Sequence, residues 1–101
     1  MVVVAYGIVS RSARAAVRRA REEGIKAGLL RPITIWPFPE DVMADVGERA
    51  RKVVVAEVNY GQVVREVERW VPWRKVVFFP KLGERFHTAD ELLRAIKAAA
   101  R

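Results

Sequence analysis

Apolar residues in this chain fall into short continuous runs separated by segments with helical spacing. Val2-Val3-Val4-Ala5-Tyr6 is an unbroken β-rich run ending at Gly7, the pattern of a strand buried on both faces. Beyond it Ala13, Val17 and Ala20 recur at helical spacing. With Ser10 placed to cap and Gly24 to stop, this predicts a helix from about Arg11 to Glu23. A second apolar run, Ile25 to Leu30, meets Arg31-Pro32 and continues through Ile33-Thr34-Ile35-Trp36-Pro37-Phe38-Pro39. Because each proline disfavours helix in the residue before it, this stretch reads as a rigid, largely apolar loop. A short helix over about Glu40 to Arg49 follows, with Pro39 at its start, two acids in its first turn, and Val42, Met43 and Val46 expected to be buried. Residues 52–58 form the third strand.

Asn59-Tyr60-Gly61-Gln62 then turns the chain into a third helix whose apolar stripe is Val63, Val64, Val67 and either Trp70 or Val71, with Pro72 ending it. Trp73 to Phe79 supplies a fourth strand, and residues 81–87 a loop. Thr88-Ala89-Asp90-Glu91 is a capping box that opens the last helix, with Leu92, Leu93, Ile96 and Ala100 as its buried face. Strands that are apolar on both faces and alternate with helices predict an α/β fold. The expected architecture is a three-layer α/β/α arrangement on a mostly parallel sheet of four strands. The length of 101 residues fits one domain over residues 1–101.

Cysteine is absent, which removes a disulfide framework, a thiolate nucleophile and Cys-ligated metal or iron–sulfur sites from this chain. No apolar run is long enough for a membrane span or signal peptide, so a soluble, cytoplasmic protein with no membrane partner is expected. The formal charge of +7 raises nucleic-acid binding as one reading. Against it, basic residues are scattered over every predicted helix, with no interleaved aromatic platform. The alternatives are an Arg-rich surface of a heat-adapted protein, with close pairs such as Glu66 with Arg69, and a positive face turned toward an acidic partner subunit.

Parallel sheets meet ligands and partners at the carboxyl ends of their strands. The candidate turns are therefore those holding Tyr6, Gly7 and Ser10, the loop of Arg31, Pro32, Trp36 and Phe38, and the turn of Glu57, Asn59, Tyr60, Gly61 and Gln62. Arg11 and Arg14 sit in the first turns of a helix, where the macrodipole disfavours cations unless something acidic lies nearby, so an anion or an acidic partner is one reading and an ordinary N-cap the other. Neither GxGxxG nor GxxxxGK[ST] occurs. Glu57, at the end of a buried strand, needs a partner, and a polar knot with Asn59 and Gln62 accounts for it more simply than a general base. His87 is the only histidine, so no His-based metal cluster can form, and a loop hydrogen bond is expected of it. The aromatics Trp36, Phe38, Trp70, Trp73, Phe78, Phe79 and Phe86 are many for so small a chain, and exposed ones beside prolines mark interfaces. No catalytic residue and no metal ligand is assigned.

Three strings together resemble the α subunit of 2-oxoacid:ferredoxin oxidoreductases: Val4-Ala5-Tyr6-Gly7 with Ser10-Arg11, then Gly28-Leu29-Leu30-Arg31-Pro32-Ile33-Thr34-Ile35-Trp36-Pro37-Phe38-Pro39, then Glu57-Val58-Asn59-Tyr60-Gly61-Gln62. The resemblance extends through Phe86-His87-Thr88 and the closing helix, and this part of the subunit is similar to the C-terminal domain of transketolase. It implies a thiamine-diphosphate enzyme that oxidatively decarboxylates a 2-oxoacid to an acyl-CoA and reduces ferredoxin through an iron–sulfur cluster. It also implies that this chain is a structural module, with thiamine diphosphate, magnesium and the cluster held by other domains or subunits. Ferredoxin and coenzyme A are then partners of the complex, and a homo-oligomer is open. A transketolase-type C-terminal domain begins with an additional antiparallel edge strand, whereas here Met1 is followed at once by what reads as the second strand. The expected sheet lacks that strand and leaves one outer edge open to another chain. Two other functions stay in view: a binding module for the phosphates of coenzyme A, resting on Ser10, Arg11 and Arg14, and a basic nucleic-acid-binding domain.

Overall fold

The computed structural model describes residues 1–5, 7, 9–30, 40–57, 62–80 and 87–100, with side chains at all of these except 40, 62 and 63. In chain order the elements are β1 (Val2–Ala5), α1 (Val9–Glu22), β2 (Gly28–Leu30), α2 (Glu40–Arg49), β3 (Val53–Glu57), α3 (Gln62–Val67), a 3₁₀ turn (Trp73–Lys75), β4 (Val76–Pro80) and α4 (Ala89–Ala100). The strands lie in the order β2-β1-β3-β4, and every pairing is parallel. The expected α/β class with a four-stranded parallel sheet is what forms.

Side-chain alternation along the strands sorts the core into two layers. Val3, Ala5, Val54 and Ala56 face α1 and α4, meeting Ala13, Ala16, Val17, Leu92 and Ile96. Val4, Val53 and Val55 face the other way, onto Met43 of α2 and Val64 and Val67 of α3, with Val71 just beyond. This is why β3 reads apolar from Val53 to Ala56: all five of its residues are buried, the last of them Glu57. Three of the α1 core positions, Ala13, Ala16 and Ala20, are alanine.

The ends of the helices follow their local chemistry. Around Gly24 (φ 87°) the Ile25 N–H donates to Ala20 O at 3.0 Å and the Gly24 N–H to Arg21 O at 3.0 Å, a Schellman closure whose left-handed residue only glycine adopts without strain. At α4 the capping box forms in both directions, with the Glu91 N–H donating to Thr88 Oγ1 and the Thr88 N–H to Glu91 Oε1, each at 3.1 Å. Gly47 of α2 faces the backbone after α3, and a Cβ there would stand 2.1 Å from the Trp70 carbonyl oxygen.

Several expectations are corrected. Ser10 does not cap α1: the helix already starts at Val9, and the Ser10 hydroxyl donates to Gly7 O at 2.6 Å. Val42 is 46% exposed, because the inward row of α2 runs from Met43 through Val46 and Gly47 to Ala50, at i, i+3, i+4 and i+7. At the end of α4 the buried row passes to Ala99, three residues after Ile96, and leaves Ala100 exposed. Residues 73–75 form a 3₁₀ turn rather than the start of the strand, with the Lys75 N–H donating to Pro72 O, so β4 begins at Val76. The third helix ends at Val67 rather than at Pro72, and of the two residues left open for its stripe, both beyond its end, Val71 is buried and Trp70 is 37% exposed.

Candidate functional site: the carboxyl ends of the strands

Neighbouring strands β1 and β3 send their following helices to opposite faces, α1 to one layer and α3 to the other. The cleft between two such strands, at their carboxyl ends, is where an open parallel sheet admits a ligand or a partner. Gly7, with φ 66°, leaves β1 there, and Glu57 ends β3 beside it, Ala5 pairing with Ala56. Tyr6, Arg31, Pro32, Trp36, Phe38, Asn59, Tyr60 and Gly61, together with the side chain of Gln62, lie outside the described residues.

Three polar side chains are buried among the described residues, Ser10, Glu57 and His87, and all three belong to this end of the sheet. Each has a structural partner. The Ser10 hydroxyl holds the Gly7 carbonyl, tying the β1 turn to the first turn of α1. Glu57 Oε2 accepts from the Val64 N–H at 2.9 Å, so a carboxylate from the strand caps the amino end of the next helix, where the peptide dipoles favour negative charge. His87 Nε2 lies 2.5 Å from Phe79 O, and its ring stands edge-on to the Phe79 ring at 4.7 Å, which fixes the entry to α4 against β4. The expected hydrogen bond of His87 is therefore present, and because a carbonyl oxygen only accepts, it is the Nε2–H that donates to the Phe79 carbonyl.

Arg11 and Arg14 are exposed on α1, whose first turn holds no acid. Arg14 lines a shallow groove with Arg18 and Arg21 over Val17 and Leu29, along the β2 side of the sheet. The structure thus separates Arg14, facing outward along that side, from Ser10, whose hydroxyl is already engaged. An iron–sulfur cluster does not fit this chain, which has no cysteine, and among the described residues no group of three or more His, Asp or Glu is placed to hold a metal ion. No helix among the described residues is long and apolar enough to cross a membrane.

A second surface went unread at the sequence level. Arg51-Lys52-Val53-Val54 and Arg74-Lys75-Val76-Val77 are the same four residues twice. Since β3 and β4 pair in parallel with Val53 opposite Val76, the two basic pairs lie side by side at the amino end of the sheet. Together with Glu48 and Arg49 they line one groove. Lys52 Nζ donates to Arg74 O at 3.1 Å and Lys75 Nζ to Gly47 O at 2.9 Å. The repeated tetrapeptide is the signal that could have revealed it.

The chain can now be set beside known proteins. It is 42% identical over 95 residues to the 2-oxoglutarate synthase subunit KorA of Methanothermobacter marburgensis, a match covering 93% of this chain and 25% of that subunit. The chain therefore spans about a quarter of the length of this curated relative. Among solved structures, the fold superposes on the 2-oxoglutarate:ferredoxin oxidoreductase of Magnetococcus marinus with a TM-score of 0.88 at 24% identity, covering 99% of this chain and 18% of that one. It also superposes on a split-gene transketolase, an inactive β4 tetramer, with a TM-score of 0.76 at 23% identity, over 98% of this chain and 37% of that one. These two likenesses establish the transketolase-like fold. The family model for pyruvate:ferredoxin oxidoreductase core domain II matches residues 1–92, nearly the whole of the sheet and its helices, and the chain belongs to that family.

Proposed function

We propose that this chain is the C-terminal, non-catalytic module of the α subunit of a cytoplasmic 2-oxoacid:ferredoxin oxidoreductase, a single transketolase C-terminal-like domain over residues 1–101. The family match over residues 1–92 carries the reading. Its turns at the carboxyl ends of the strands dock neighbouring domains or subunits, through Tyr6, Gly7, Arg31, Pro32, Trp36, Phe38, Asn59, Tyr60, Gly61 and Gln62. Support for a docking role over a catalytic one comes from Ser10, Glu57 and His87, whose buried polar groups hold turns and helix ends in place. Thiamine diphosphate, magnesium and the iron–sulfur cluster belong to other domains or subunits, and ferredoxin and coenzyme A meet the assembled complex.

Reconstitution tests this directly. The chain is purified alone and after coexpression with the thiamine-binding polypeptides of its enzyme, and 2-oxoacid-dependent ferredoxin reduction is measured in both samples. The expected result is comigration in the second sample, with turnover there and none in the first. Turnover by the lone chain, or failure to comigrate at every salt concentration, would overturn the assignment.

A further inference from the structure

We propose that the amino end of the sheet is a second docking surface, and that its occupant is an acidic, partly apolar surface elsewhere in the same oxidoreductase. The inference rests on the assembly role proposed above and concerns a different face, opposite the carboxyl-end turns.

Two observations converge on it. The first is electrostatic. Arg49, Arg51, Lys52, Arg74 and Lys75 line one groove with a single carboxylate, Glu48, in a chain that is already strongly cationic. In-register pairing of β3 with β4 sets like-charged doublets next to each other, an arrangement that disfavours the isolated fold and is relieved by negative charge brought against it. Only Arg49 has a carboxylate partner among the described residues, Asp45 at 2.9 Å. The second observation is apolar. Trp73, beside Pro72 and immediately before Arg74, is 81% exposed, and Trp70 on the preceding turn is 37% exposed. Tryptophan and arginine side by side are the residues on which protein interfaces concentrate their affinity.

Charge also selects the occupant. A second copy of this chain would bring the same +7 to the contact and be repelled. A nucleic-acid strand fits the cations but not Glu48, which sits in the groove, whereas a protein surface can answer that carboxylate with a cation of its own. Lys52 and Lys75 are anchored on backbone carbonyls, so the groove is a preset surface rather than a set of mobile tethers. Because the chain spans about a quarter of its relative's length, the remainder of such a subunit offers surface to cover it.

The test uses the oxidoreductase assembled by coexpression, compared as wild type, Trp73→Ala and the pair Arg51→Glu with Arg74→Glu. All three altered residues are exposed, so each variant folds, which circular dichroism melting verifies. Assembly affinity by sedimentation should fall at least about tenfold for each variant, and the wild-type affinity should weaken with salt more steeply than that of the charge-reversed variant. Unchanged assembly in both variants would overturn the inference while leaving the assembly role intact, whereas wild-type chain that fails to assemble removes that role first. A labelled single-stranded oligonucleotide is the second probe. If it binds the wild type and not the variants while assembly is unaffected, the surface is a nucleic-acid site and the proposal is wrong.

Discussion

Glu57 shows how a charged residue survives at the end of a fully buried strand. The residue is 4% exposed, and its carboxylate accepts the Val64 N–H, one of the amide donors that the first turn of any helix leaves without an intrahelical partner. Replacing it with alanine removes a charge-assisted bond and strands that donor in the core. Glu57→Ala should cost about 1–3 kcal/mol in urea unfolding, while an exposed change such as Arg11→Ala should stay within about 0.5 kcal/mol. Gly47 makes the opposite demand, for emptiness. With the Trp70 carbonyl 2.1 Å from where a Cβ would stand, Gly47→Ala must push α2 off the backbone after α3 and should destabilise by about 1–3 kcal/mol. The need for a partner at Glu57 was readable from its place in an apolar run. The need for space at Gly47 was not, because it arises from backbone that lies 23 positions away in sequence.

At the scale of elements, what could be read depended on whether the signal was local. The capping box at Thr88 and Glu91 is complete within four residues, and it forms as expected. Thr88→Ala should therefore cost about 1 kcal/mol, measured as a shift of the denaturant midpoint at unchanged slope, because only the start of α4 is affected. The bounds of α2, Glu40–Arg49, were likewise legible from Pro39, the leading acids and the apolar spacing. Which of its faces points inward was less so. Val42 and Met43 are equally apolar neighbours, and the choice falls to Met43 because its row continues through Gly47, where α2 can approach the chain closely. Ser10 misled for a related reason. Serine before an apolar-periodic stretch is a cap signal, but Val9 is also apolar and joins the α1 layer, so the helix begins at Val9 instead of Arg11 and the hydroxyl turns back to the Gly7 carbonyl. The basic doublets at the amino end of the sheet were visible as residues and invisible as a cluster until strand order placed β3 against β4.

Across the whole molecule, the two helix layers are held together by the strands between them. β1 and β3 contribute alternate residues to both: Val3, Ala5, Val54 and Ala56 to the α1 and α4 side, Val4, Val53 and Val55 to the α2 and α3 side. Opening one layer exposes strand residues whose immediate neighbours seal the other. The links across the surface are weaker: Arg19 of α1 with Asp90 of α4, and Lys97 of α4 with Glu23 just past α1, both at 2.5 Å, join exposed side chains and are each worth at most about 1 kcal/mol. Cooperativity must therefore come from the shared strands. Ile96→Ala in one layer and Met43→Ala in the other, both fully buried, should each cost about 2–5 kcal/mol. Each should also lower amide hydrogen-exchange protection in α1 and α2 alike, because the slowest amides exchange only when the sheet opens as a unit. Protection lost in α1 and α4 after Ile96→Ala, but retained at full strength in α2, would show instead that the layers open independently. A sheet whose central strands serve both cores should not behave that way.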